Sequence, residues 1–210
     1  LAATVLAFAR HELAEAGLPT AEVVGVVTGR DDEADGLLIT RHLDYSLPYR
    51  SLLSGRGLLL SGGNLINTGA MTLNGDTVSG TATLINDTAG TLSGRGVISA
   101  PFFNAGRLVV DSGSLRIDRE SFENTGRIVM GSATATLSGG VMYNQGRIEG
   151  QGQINNAISN TGTISALGAG TTLTLAPVDN LNYGGQQVGT LVAGSGATLL
   201  LSGGLADDNQ

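Results

Sequence analysis

The side chains able to do acid–base, nucleophilic or metal chemistry are few and scattered. There are two histidines, His11 and His42, no cysteine, and eleven arginines without one lysine. Absence of cysteine removes disulfides, thiolate chemistry and Cys-based metal sites. His11-Glu12-Leu13-Ala14-Glu15 puts a glutamate where a helical two-histidine zinc site needs its second imidazole. Asp31-Asp32-Glu33-Ala34-Asp35-Gly36 offers the first oxygens of a calcium loop, but His42 stands at the twelfth position, where a bidentate glutamate is required. Both read better as solvated polar segments. Cleavage of a glycan would need paired carboxylates. The candidates are Asp111, Asp118, Glu120, Glu123 and Glu149, and they are spread along the sequence. No catalytic residue, metal ligand or cofactor is assigned.

Two other residue types recur with regular spacing. Asn104-Ala105-Gly106-Arg107-Leu108 returns as Asn124-Thr125-Gly126-Arg127-Ile128 and as Asn144-Gln145-Gly146-Arg147-Ile148, 20 residues apart each time. Looser copies begin at Asn67, Asn86 and Asn160. A fixed period near 20 residues means stacked coils, each one supersecondary unit unable to bury its apolar face alone. In such a stack Asn67, Asn86, Asn104, Asn124, Asn144 and Asn160 sit one above another. Each amide can then bond the amides above and below, which satisfies polar atoms that are costly to bury. The Gly two residues on reads as a corner able to take φ > 0. Arg107, Arg127 and Arg147 alternate with apolar Leu108, Ile128 and Ile148 and so face outward, about 4.8 Å apart. Like charges at that spacing repel unless a nearby Asp or Glu, or an anionic ligand, offsets them. They are either a solvated face or a candidate anion-binding ladder.

The elements that would carry these residues are short strands. Leu65, Leu84, Phe102, Phe122, Met142 and Ile158 stand two before each Asn, and Met71, Leu108, Ile128, Ile148 and Ile164 stand four after it. Period-2 patterning broken by Gly predicts strands and turns. Phe102, Phe122 and Met142 are expected in one inner column, and Leu108, Ile128 and Ile148 in another. A second phrase, Ser54-Gly55-Arg56-Gly57, Ser93-Gly94-Arg95-Gly96 and Glu149-Gly150-Gln151-Gly152, leads into apolar strands. No lysine and no long helix follow it, so it is not a phosphate loop.

The first fifty residues differ. All 13 asparagines come after Arg50. In Leu1–Ala16, Val5, Leu6, Phe8, Ala9, Leu13 and Ala16 have helical spacing, and Gly17-Leu18-Pro19 stops it. Residues 21–28 and 36–40 read as strands. The expected organisation is all-β: a right-handed parallel β-helix over 51–210, about 16–22 residues per coil, with a small α/β cap or linker at 1–50. Such a cap would cover the unpaired edge at one end. Residues 177–210 read as looser, with a weak further turn at Asn182-Tyr183-Gly184-Gly185 and strands near 190–192 and 198–201. Net charge is −7, which argues against general nucleic-acid binding or an anionic membrane surface. No apolar run is long enough for a transmembrane helix, and Leu1–Ala9 lacks the basic region of a signal peptide. The start at Leu1 rather than Met reads as a fragment or a processed form.

Asn160-Thr161-Gly162-Thr163-Ile164-Ser165-Ala166 and Gly170-Thr171-Thr172-Leu173-Thr174-Leu175 carry a resemblance to the repeats of filamentous-haemagglutinin-type secreted bacterial β-helix proteins, such as two-partner-secreted adhesins and autotransporter passengers. The likeness covers about residues 51–201. It implies a secreted or cell-surface bacterial protein that adheres, with a host or matrix polysaccharide or surface as the partner. The Asn-Pro-Asn motifs of that family's secretion domain are absent, so an interior segment is implied. The expected function is a structural adhesin stalk or fibre subunit, which could self-associate head to tail into a filament. The alternative is a polysaccharide-degrading β-helix enzyme. Thr134, Thr136, Thr172 and Thr174 are too irregular for an ice-binding array.

Overall fold

A computed structural model describes residues 23–27, 37–40, 57–180 and 189–206. The stretch expected to be helical, Leu1–Ala16, lies outside the described residues, as do both histidines and the acidic cluster at 31–35. Among the described residues every regular element is a strand. Val23–Val27 and Leu37–Thr40 pair antiparallel. The other seventeen strands form one continuous parallel array, a β-solenoid of about six turns.

Each coil is built from three strand segments, because three apolar stretches alternate with corners. The Asn face holds Leu65–Asn67, Leu84–Asn86, Phe102–Asn104 and their successors to Leu205–Ala206. The Arg face holds Arg107–Val110 and the segments paired with it, from Ala70 to Ala193. The third face runs from Leu58–Leu60 to Thr198–Leu201. Several strands turn the corners without a break; Arg127–Asn144 passes through all three faces.

Register converts the sequence repeat into columns of like side chains. Leu84, Phe102, Phe122, Met142, Ile158 and Val178 stack in the buried interior behind the Asn face. The Phe102 and Phe122 rings lie 5.9 Å apart at a 41° tilt, a favourable aromatic arrangement. Leu92, Leu108, Ile128, Ile148 and Ile164 stack behind the Arg face. Leu115, Leu137, Ile154 and Leu175 stack behind the third. One rung of three or four such residues could not offset the entropy of ordering a coil. The same rung covered on both sides buries each Leu or Ile fully, at about 1.5–3 kcal/mol apiece.

The two glycine phrases have different physical roles, and one differs from expectation. None of Gly106, Gly126, Gly146 and Gly162 has positive φ. They are glycine because coils touch there: a Cβ on Gly126 would overlap the carbonyl oxygen of Gly106, and one on Gly146 that of Gly126. The backbone closes the contact, with Gly126 N–H donating to the Asn104 carbonyl (3.1 Å) and Arg127 N–H to the Gly106 carbonyl (2.8 Å). Left-handed backbone belongs instead to the second phrase, at Gly94 (φ 113°), Gly96 (138°), Gly150 (116°) and Gly152 (116°). Those residues turn the chain from the Arg face to the third face, which needs φ > 0.

Truncating a column member should cost a transfer term plus a cavity term. Ile128→Ala is expected to lower stability by about 2–5 kcal/mol, whereas Glu120→Ala, on an exposed corner, stays within about 0.5 kcal/mol. Urea titrations of the two variants check this; equal midpoints would refute the column.

Candidate functional site

Two ladders and one trough are the ordered side-chain features of the described surface and corners. The first ladder is inside. Asn67, Asn86, Asn104, Asn124, Asn144 and Asn160 each donate from Nδ2 to the Oδ1 of the next, at 2.6–2.8 Å. The second Nδ2 hydrogen goes to a corner carbonyl: Asn86 to that of Arg107 (3.1 Å), Asn104 to that of Gly106 (3.3 Å). Asn86, Asn104, Asn124 and Asn144 are wholly buried. The chain of amides continues to Asn180, a rung that the sequence reading passed over. Its signal was present: Val178 lies two residues before it, and it comes 20 residues after Asn160. The corner Gly is displaced in the sequence: Gly189 takes the place that Gly162 holds one coil earlier, its carbonyl accepting from Asn180 Nδ2 at 2.9 Å.

The second ladder is outside. Arg107, Arg127 and Arg147 are in register and exposed. Their repulsion is relieved by Glu149. Its carboxylate receives Arg127 Nη2 on one oxygen and Arg147 Nε (2.7 Å) on the other. Val109 and Val129 occupy the Glu149 position on the preceding coils, so the counter-charge is present only once. The Glu149 side chain is 7% exposed, while the two guanidinium-bearing side chains are 53% exposed. No ion pair joins Arg107 to a described residue.

The other carboxylates are not brought together. Asp118 pairs with Arg116 at 2.7 Å on the third face. Glu123 faces outward from the Asn face, and Asp111 and Glu120 occupy exposed corners. No group of three or more His, Cys, Asp or Glu suited to a metal ion occurs among the described residues.

On the outside of the Asn face, one column runs Ile66, Ile85, Phe103, Glu123, Tyr143, Ser159 and Asp179. Its far half forms the floor of an open trough of about 710 Å³ that crosses four coils. Tyr143, Ser159 and Asp179 line it, together with Pro177, Gly203 and Leu205. Small residues at the corner, Ala157, Pro177 and Gly203, leave the space. Among the described residues no helix is long and apolar enough to cross a membrane.

Comparison with protein-family models, with curated proteins and with solved structures yields no match.

Both ladders are testable by stability. Asn124→Ala should cost about 1–3 kcal/mol, since two neighbours lose partners inside the core; a chemical-denaturation midpoint equal to wild type would contradict this. Glu149→Ala should cost roughly 1 kcal/mol at low salt and less at 1 M salt, where arginine repulsion is screened. Paired denaturation curves at the two ionic strengths read that difference.

Proposed function

We propose that this chain is a structural β-solenoid of a bacterial surface or secreted protein, serving as an adhesin stalk or fibre segment. The observation that carries the reading is the unbroken amide chain from Asn67 to Asn180 inside a parallel stack. Such a stack resists bending and sets a distance, and its length grows with coil number. The likeness of its phrases to filamentous-haemagglutinin-type repeats supports a surface setting. Adhesion to a host or matrix polysaccharide fits two features. The trough offers an aromatic face with hydroxyl and carboxylate groups, and Arg107 offers an outward cation outside the Glu149 pair.

End-to-end association is part of the proposal. On the last described coil Leu191, Leu199 and Leu201 are only partly buried and pack against the core. Strand groups there can be satisfied by another coil, and a head-to-tail contact that does not close gives a filament.

Incubation of the purified chain with acidic and neutral polysaccharides tests the function. Retention without release of shorter products is the expected outcome, with Arg107→Ser weakening retention on acidic polymers several-fold, as for loss of one exposed cationic contact. Release of reducing or unsaturated ends would overturn the structural reading in favour of an enzyme. Light scattering and electron microscopy, with and without residues 1–50, should show particle length rising with concentration; particles of constant size in both forms would overturn the filament.

A further inference from the structure

The arginine ladder has two gaps between its coils, and one of them holds a carboxylate. Between Arg127 and Arg147 stands Glu149. It accepts from Arg147 Nε (2.7 Å) on its own coil and from Arg127 Nη2 on the coil before. One carboxylate thus takes the Nε of one guanidinium and the Nη2 of its neighbour. The gap between Arg107 and Arg127 has the same framework without the acid. Arg107 is in register with Arg127, and Val129 with Glu149. Moved back by one coil, the Glu149 carboxylate would lie over Val129 and accept from Arg127 Nε and Arg107 Nη2. Glu149 engages Arg127 through Nη2, which leaves that Nε to a second acceptor. Arg107 has no ion-pair partner among the described residues.

The neighbouring rungs lack this combination. Over Val109 the ladder supplies Arg107 and Thr91, a single cation, and Val109 is only 5% exposed. On the far side of Glu149 it supplies Arg147 and Thr163, again a single cation. Val129 is half-buried, so a ligand group can reach it while the flanking side chains limit water. Charge-assisted hydrogen bonds are the strong class, and a partly dry setting strengthens them. Coils about 4.8 Å apart hold two guanidinium groups at a separation that Glu149 bridges with one carboxylate. The apolar floor suits an acid carried on a sugar ring, whose C–H edge can rest on Val129, better than a hydrated inorganic ion.

We propose that Arg107 and Arg127, over Val129, form a site for the carboxylate of a uronic-acid residue in an acidic polysaccharide. Glu149 is the built-in copy of that ligand one coil on. The site rests on the adhesion reading above and narrows it to polyuronates. The chain's net charge of −7 disfavours polyanions at long range, so retention of one reports a local site rather than bulk attraction.

The full chain is passed over immobilised polygalacturonate, its uncharged methyl ester, and polyglutamate, which offers the same acid on a peptide. Stronger retention on polygalacturonate than on either of the others is expected. Val129→Glu places the protein's own carboxylate in the site and should weaken that retention about tenfold, as for loss of two charge-assisted hydrogen bonds. Thr198→Glu adds the same charge at an exposed position of the third face on the last described coil. It should change retention by about twofold at most, because salt screens a charge placed away from the site. Denaturation without polysaccharide tests the geometry alone. Val129→Glu should unfold at higher urea than Val129→Gln at low salt, with the gap closing at 1 M salt; equal midpoints at low salt overturn the site and leave the adhesion reading intact. So do equal effects of Val129→Glu and Thr198→Glu, equal retention on the ester or on polyglutamate, or retention on neutral polymers but not on polygalacturonate. Retention on no polymer, acidic or neutral, overturns both. Should Val129→Glu fail to fold, Arg107→Ser decides: retention on polygalacturonate should fall several-fold, and an unchanged value overturns the site.

Discussion

Close contact at one corner is what the rest of this solenoid depends on. Where the Asn face meets the Arg face, backbone rests on backbone, with no side chain between Gly126 and the Gly106 carbonyl. That contact fixes the separation of the coils at a distance an amide can span. Asn104 then reaches Asn124 at 2.6 Å, and the ladder is satisfied inside a core where an unpaired amide would be costly. With the corner set, alternation along each strand places Phe102 over Phe122 and Leu108 over Ile128 without further instruction. Hydrophobic burial supplies most of the stabilisation, and the polar corner supplies the register.

Fold and ladder were legible in the sequence because register is periodic and each period is written with the same letters. The inner columns could be named from the residues two before and four after each Asn. What the sequence concealed were features that depend on contact between coils. The glycine at Asn-x-Gly looks like a turn residue wherever it is met, since φ > 0 and lack of room for a Cβ both select glycine. Only the stacked backbone separates the two causes. Asn180 was hidden because eight residues between 180 and 189 push the corner glycine away from its usual place. Glu149 was legible only as one carboxylate among five. Its role needs Arg127 and Arg147 beside it, and the coil before carries Val129 at that position.

The outer surface is organised less strictly than the interior. Inward positions repeat in type, while outward ones change from rung to rung, as from Phe103 to Glu123 to Tyr143. The interior has one packing problem, solved the same way on each coil. The outside has none that the fold imposes, so apolar, acidic and aromatic groups can follow one another at those positions. The carboxylates follow the same logic: each sits where its own neighbours favour it, and no element gathers them.

One consequence of the asparagine chain concerns inheritance. Every rung donates in the same sense and accepts in the same sense, so any rung can follow any other. Joining residue 104 to residue 125 would remove one whole period and restore Asn104 against Asn144 in the same geometry, with Gly126 serving the corner. The steps of 20, 18 and 16 residues between rungs show that corners absorb differences in length while the amides keep their spacing. Loss or gain of one whole period would therefore keep the amide chain and the inner columns in register. The gene can change the reach of the protein in increments of one coil, a ruler whose graduations are set by a hydrogen bond.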